Sequence, residues 1–222
     1  MIVYINFLLL ELIQFRKGDE NVPKIIWKGI IKSEDDFPTA KIPKNAIKIE
    51  TEEDIKKMQL KALPFIIPSI LICFICMFVK TFIANQQVIH IGFLLIGVLV
   101  GLLLLIVHEF LHAIAFPKNA TVYIGIMPKS FAAVALSASP VKRNRLIWIS
   151  ILPIILGIIP LILFCIAPIH LKVFNGLMFG MAIMGMTSVY PDIYNIYHIL
   201  KVVPRHASIQ NNKNEMYYFE SI

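Results

Sequence analysis

The chain has 222 residues, 58% of them apolar and only 16% charged, well below the roughly 25% charge of an average globular protein. The charge is unevenly spread: residues 1–62 carry 11 of the 21 Lys and Arg and 10 of the 14 Asp and Glu, leaving Glu109, Asp192, Glu215 and Glu220 as the acids of the rest. This excludes a plain water-soluble enzyme, a disordered tail protein and a disulfide scaffold; the net charge of +7 comes without the basic, aromatic-interleaved face of a nucleic-acid binder, and the composition is that of a membrane protein with a polar amino-terminal part.

Residues 1–14 are apolar but short, contain Glu11 and lack a basic leader and a small-residue cleavage site. They are a poor signal peptide, and an in-plane or packed segment is expected. Residues 1–61 as a whole read as a cytoplasmic segment. Three places share an apolar-Pro-basic-polar-Ala pattern: Ile42-Pro43-Lys44-Asn45-Ala46, Phe116-Pro117-Lys118-Asn119-Ala120 and Val203-Pro204-Arg205-His206-Ala207. Proline keeps the residue before it out of helix, and a short alternating stretch follows each. They are expected to lead into small cytoplasmic β-strands.

A bilayer core of about 30 Å needs about 20 apolar residues in helix. Four stretches qualify: 62–79, 88–116 (apolar to Val107), 146–167 and 173–200. The expected fold is therefore an all-α membrane protein of four transmembrane helices with small cytoplasmic β-hairpin elements, its core spanning 62–200 and its cytoplasmic tail 201–222. One alternating topology puts 19 of the 21 Lys and Arg on one side, leaving Lys80 and Lys172 on the other. Basic loops face the cytoplasm, so both termini and the 117–145 loop are expected there. Cys73 and Cys76 form a C-x-x-C inside an apolar run with no second pair; packing thiols are the expected reading. Lys80 and His90 fall at span ends, where such side chains reach the interface.

The remaining ionisable residues of span two are His108, Glu109 and His112, in His108-Glu109-Phe110-Leu111-His112. Ionisable groups inside a span are costly and point to function. Four residues is about one helical turn, so both imidazoles project from one face. Zinc accepts such nitrogens and, with three protein ligands, keeps a position open. Glu109, about 100° round the helix from His108, is placed to act as a base toward an activated water. Zinc over another divalent ion is inferred from ligand type.

A third ligand is needed, and His170, Asp192, His198, His206 and Glu215 follow the motif. Depth separates them. His108 lies 20 residues beyond Val88 and Asp192 lies 19 beyond Val173. If both spans start at the outer face, each sits about 30 Å in. His170 is on the opposite side, His198 is almost two turns further out, and His206 and Glu215 would have to fold back. Asp192 is the choice, with His198 and His206 behind it. Pro191 should kink or interrupt the helix there, which is tolerated where a cavity is lined. Asn195, three residues on, is either a second orienting or substrate-binding group or an interfacial polar residue. Gly176, Gly180 and Gly185 thin the fourth span for close approach of the second.

With these residues in view, the chain resembles the site-2-protease group of intramembrane zinc metalloproteases. That group carries His-Glu-x-x-His in one span and an Asp, often in Asn-Pro-Asp-Gly, in a later one. More closely, over residues 38–222, it resembles a zincin peptidase family of small bacterial membrane proteins. The likeness also takes in Leu152-Pro153 and Asp192-Ile193-Tyr194-Asn195. Tyr190 and Ile193 replace the flanking Asn and Gly. The resemblance implies an integral protein of the bacterial cytoplasmic membrane.

The expected function is a membrane-embedded zinc metallopeptidase holding one zinc ion on His108, His112 and Asp192. Glu109 is the expected general base and then acid, acting on a peptide or membrane-protein substrate near the cytoplasmic face. The 121–126 and 131–138 stretches would form a hairpin that offers an edge to an extended strand. The alternative is a non-proteolytic metal-binding membrane protein, structural or sensory. A transporter would need polar residues along a path, whereas the sequence offers them at one depth. No oligomeric state is implied.

Overall fold

The structure is a computed structural model and describes residues 22–52, 54–130 and 132–220. The in-plane segment expected at 1–14 lies outside the described residues. Two compact units emerge. The described parts of Met1–Ile55, Glu109–Ile149 and His198–Ile222 form one, and Lys56–His108 with Ser150–Tyr197 form the other.

Helix α1 (Ile55–Ala62) leads through a 3-10 turn (Leu63–Ile66) into α2 (Ile67–Ala84). Then come α3 (Ile91–Leu103), α4 (Leu105–Ala115), α5 (Arg143–Ile151), a second 3-10 turn (Leu152–Ile154), α6 (Ile155–Ile166), α7 (Lys172–Ser188) and α8 (Tyr190–Val202). Joined end to end they give four helical stretches, Ile55–Ala84, Ile91–Ala115, Arg143–Ile166 and Lys172–Val202, each long and apolar enough to cross a membrane. Their ends differ from the expected spans by a few residues. The first starts earlier, because the Lys-bearing α1 runs on into it.

Local chemistry sets several ends. Pro64 and Pro68 fall in the first two positions of the first 3-10 turn and of α2, where a missing N–H costs nothing. Asn85 closes α2 in the left-handed region at φ 48°, a conformation Asn tolerates at a helix end. The fourth span breaks at Val189, two residues before Pro191, as a proline in that position demands.

The helical unit is cored by Cys73, Val88, Leu161, Phe164, Met178, Phe179, Ala182 and Met186. Cys73 is a buried free thiol within it. Gly97 of α3 and Gly180 of α7 bring two backbones together. A Cβ on either would overlap main-chain atoms of the other helix. Gly176 likewise faces the start of α3, but Gly185 meets Gly157 of α6. The third glycine therefore thins the fourth span toward the third, not the second, because nine residues on from Gly176 is a different helix face.

Lys80 also departs from expectation. Its ammonium does not simply reach for the interface: it donates to the Phe164 carbonyl, to the Ala167 carbonyl at 2.9 Å and to Asn175 Oδ1 at 3.0 Å. These are the carbonyls that the end of α6 leaves without helical donors, and a cation is favoured there. Outward, Phe74, Phe78 and Phe82 stack along α2, each more than half exposed. Such an apolar row is out of place in water and compatible with a membrane protein.

The other unit holds two sheets. In the first, β1 (Lys24–Ile30), β3 (Thr121–Met127) and β4 (Ala132–Leu136) lie in the order β1-β3-β4, β1 parallel and β4 antiparallel to β3. In the second, β2 (Ile47–Ile49), β5 (Val141–Lys142), β6 (Ala207–Asn212) and β7 (Glu215–Glu220) lie in the order β2-β7-β6-β5. Strands do follow all three Pro-basic segments. The β content exceeds the hairpins expected, however, since β1 and β2 pair with strands far along the chain. Gly29, at φ 73°, takes up the irregularity where β1 slips against β3. Ala113 and Phe116 of the α4 segment pack with Val122, Ile124, Val141 and Ile149. Ile199 and Val203 pack with Ile49 and Ile209.

Candidate metal centre

The pentad lies on α4, whose residues Leu105–Ala115 form one continuous helix. His108 and His112 are buried and one turn apart. One ring nitrogen of each and one carboxylate oxygen of Glu109 lie within 4.8 Å of one another.

His108 meets the fourth span. Its Nε2 is 3.3 Å from Asp192 Oδ2, and its Nδ1 is 3.4 Å from Ser188 Oγ, a long separation for a hydrogen bond. The Ser188 hydroxyl donates to the Gly185 carbonyl at 3.1 Å. Nε2 donates to the carboxylate in one tautomer of the ring and presents a lone pair to it in the other. Asp192 stands in the first turn of α8, where the positive end of the helix dipole favours a carboxylate.

His112 is held on its other side. Its Nδ1 is 2.7 Å from the Ile149 carbonyl oxygen. A carbonyl only accepts, so Nδ1 holds the N–H and Nε2 the lone pair, the form in which imidazole binds a metal. Arg145, one turn earlier on α5, donates from Nε to the Ala115 carbonyl at 2.9 Å and from a terminal nitrogen to Phe116 at 3.2 Å. It thereby caps the carboxyl end of α4. The two imidazoles and the Glu109 carboxylate that cluster on α4 are a kind of donor set that fits zinc.

The other sequence candidates lie elsewhere. His170 and His206 are exposed. Glu215 accepts hydrogen bonds from Lys48 Nζ at 2.6 Å and Tyr217 Oη at 2.6 Å. His198 is half-buried on α8, and Asn195 is half-buried one turn beyond Asp192 on the same helix. Sequence reasoning missed Ser188, the Ile149 carbonyl and Arg145. Ser188 carried a usable signal, one polar side chain about a turn before Asp192. In the sequence Arg145 is only one basic residue of the 117–145 loop, and a main-chain carbonyl has no side-chain signature.

Residues 101–207 match a family model described as "Putative zincin peptidase". No curated protein and no solved structure matches the chain. The matched stretch takes in all of α4 and Asp192, and over that stretch the chain is similar to a zincin-like metallopeptidase family.

Proposed function

We propose that this protein is a membrane-embedded zinc metallopeptidase of the site-2-protease type, hydrolysing peptide bonds of membrane-associated substrates near the cytoplasmic face. His108, His112 and Asp192 hold the zinc. The observation that supports the reading is the cluster on α4, where a ring nitrogen of His108, a ring nitrogen of His112 and a Glu109 carboxylate oxygen lie within 4.8 Å of one another, with Asp192 Oδ2 3.3 Å from His108 Nε2.

Zinc held there supplies Lewis-acid polarisation and brings the pKa of water toward neutrality. The chain's own residues do the rest. Glu109, on the same helix, accepts a proton from the attacking water. It then returns that proton to the departing amine. Asp192 offsets the charge of the cation, and the Ile149 carbonyl holds and aims the His112 ring. Asn195 orients Asp192 or meets substrate backbone. Both termini and the 117–145 loop face the cytoplasm of a bacterial cell.

The test compares Glu109→Gln with the unaltered chain in membranes. Zinc should stay at one ion per chain in both. Membrane-protein fragments present with the unaltered chain should be absent with the variant. Fragments that persist in Glu109→Gln would remove the peptidase reading. Zinc retained with no difference in fragments favours the structural or sensory role.

A further inference from the structure

We propose that Pro153 is a positioning residue of the metal centre: by bringing no N–H, it leaves the Ile149 carbonyl to hold the Nδ1 proton of His112. The inference rests on the reading of His112 as a zinc ligand. In an α-helix the carbonyl of residue 149 would point along the axis to the N–H of residue 153. Residue 153 is proline. It has no N–H, and its ring crowds the carbonyl four residues before it. Helix α5 accordingly stops at Ile151, and the 3-10 turn Leu152–Ile154 follows with Pro153 inside it.

Ile149 is 3% exposed, so its carbonyl needs a protein partner in place of water. It accepts from His112 Nδ1 at 2.7 Å. One substitution in the third span thus serves two needs. It turns a main-chain acceptor out of its own helix, and that acceptor fixes the tautomer and ring plane of an imidazole on another. Outer partners of this kind raise the basicity of the ligating nitrogen.

Pro153→Ala restores an N–H that competes for the carbonyl. Two measurements on the purified full-length chain in detergent test the proposal. First, 15N shifts of the imidazoles in zinc-free protein should show His112 with its proton on Nδ1. In Pro153→Ala that ring should become a mixture of tautomers. Second, chelator competition should show zinc affinity falling about 10–100-fold in Pro153→Ala, the usual cost of losing an outer partner.

A third protein separates the missing N–H from the ring itself. Lactic acid at position 153 replaces the amide N–H by an ester oxygen, so it has neither ring nor donor. It should keep the zinc affinity and His112 tautomer of the unaltered chain. Unchanged affinity and tautomer in Pro153→Ala overturn the proposal, as does equal loss in the Ala and lactic acid forms. An unaltered chain that binds no zinc while Pro153→Ala still shifts the His112 tautomer removes the zinc reading alone. The backbone device would then stand as a structural one.

Discussion

At the residue scale the centre depends on which nitrogen of each imidazole carries its proton. The His112 proton is fixed on Nδ1 by a main-chain carbonyl at 2.7 Å, and a serine hydroxyl lies 3.4 Å from Nδ1 of His108. The longer contact constrains less. Ser188→Ala is therefore expected to lower zinc affinity by about tenfold or less, the lower end of what outer partners cost. Asp192→Ala should exceed the upper end of that range, about 100-fold. Isothermal competition against a chelator ranks the two, and equal effects would contradict the assignment of Asp192 as a direct ligand. Away from the centre, hydrogen bonds from Lys48 and then Tyr217 hold the Glu215 carboxyl below its ordinary range. A lowered carboxyl pKa contributes stability that is complete above the unfolded value and fades as pH falls through the folded one. An NMR titration of Glu215 should give a midpoint below about 4.3, the ordinary Glu value. Lys48→Ala should move it upward.

At the scale of elements, two helix ends are closed by cations from neighbours. Lys80 closes α6 and Arg145 closes α4. The latter matters for function because α4 carries both imidazoles. Arg145→Ala is expected to cost about 0.3–1 kcal/mol, the value of a surface cation at a helix carboxyl end. Faster amide exchange in the last turn of α4, with the first turn unchanged, would report it. The α3–α7 contact is set by steric fit, since a Cβ on Gly180 overlaps the carbonyl of Leu94 and the amide of Val98. Gly180→Val should therefore cost about 1–3 kcal/mol as overpacking, read as a lower thermal midpoint in detergent. A variant as stable as the unaltered chain would mean that these helices can part without penalty.

At the scale of the whole molecule, the charge distribution predicts a direction across a bilayer. Of 21 Lys and Arg, 19 fall in the amino-terminal part, the 117–145 loop and the carboxyl tail. Reporter fusions should place the tail and that loop in the cytoplasm and the 168–172 connection outside. A tail reporter on the outer side would reverse the orientation. The same three polar regions supply the strands of one compact unit. Segments that hydropathy reads as a separate amino-terminal part, loop and tail are thus parts of one sheet-bearing body.

The sequence alone determined whatever depends on neighbours along the chain. Four apolar stretches became four long helices because hydropathy and helical length are local. The pentad put two imidazoles on one face because one turn is nearly four residues. Counting depth brought Asp192 to the level of His108. Only the tertiary structure decided what depends on partners far apart in the chain. Pairing of β1 with β3 joins strands about a hundred residues apart, and no local period announces it. Gly185 turned toward α6, Lys80 toward the end of that same helix, and the Ile149 carbonyl toward His112. Each is decided by which face of one helix meets another, a property of packing that no single segment contains.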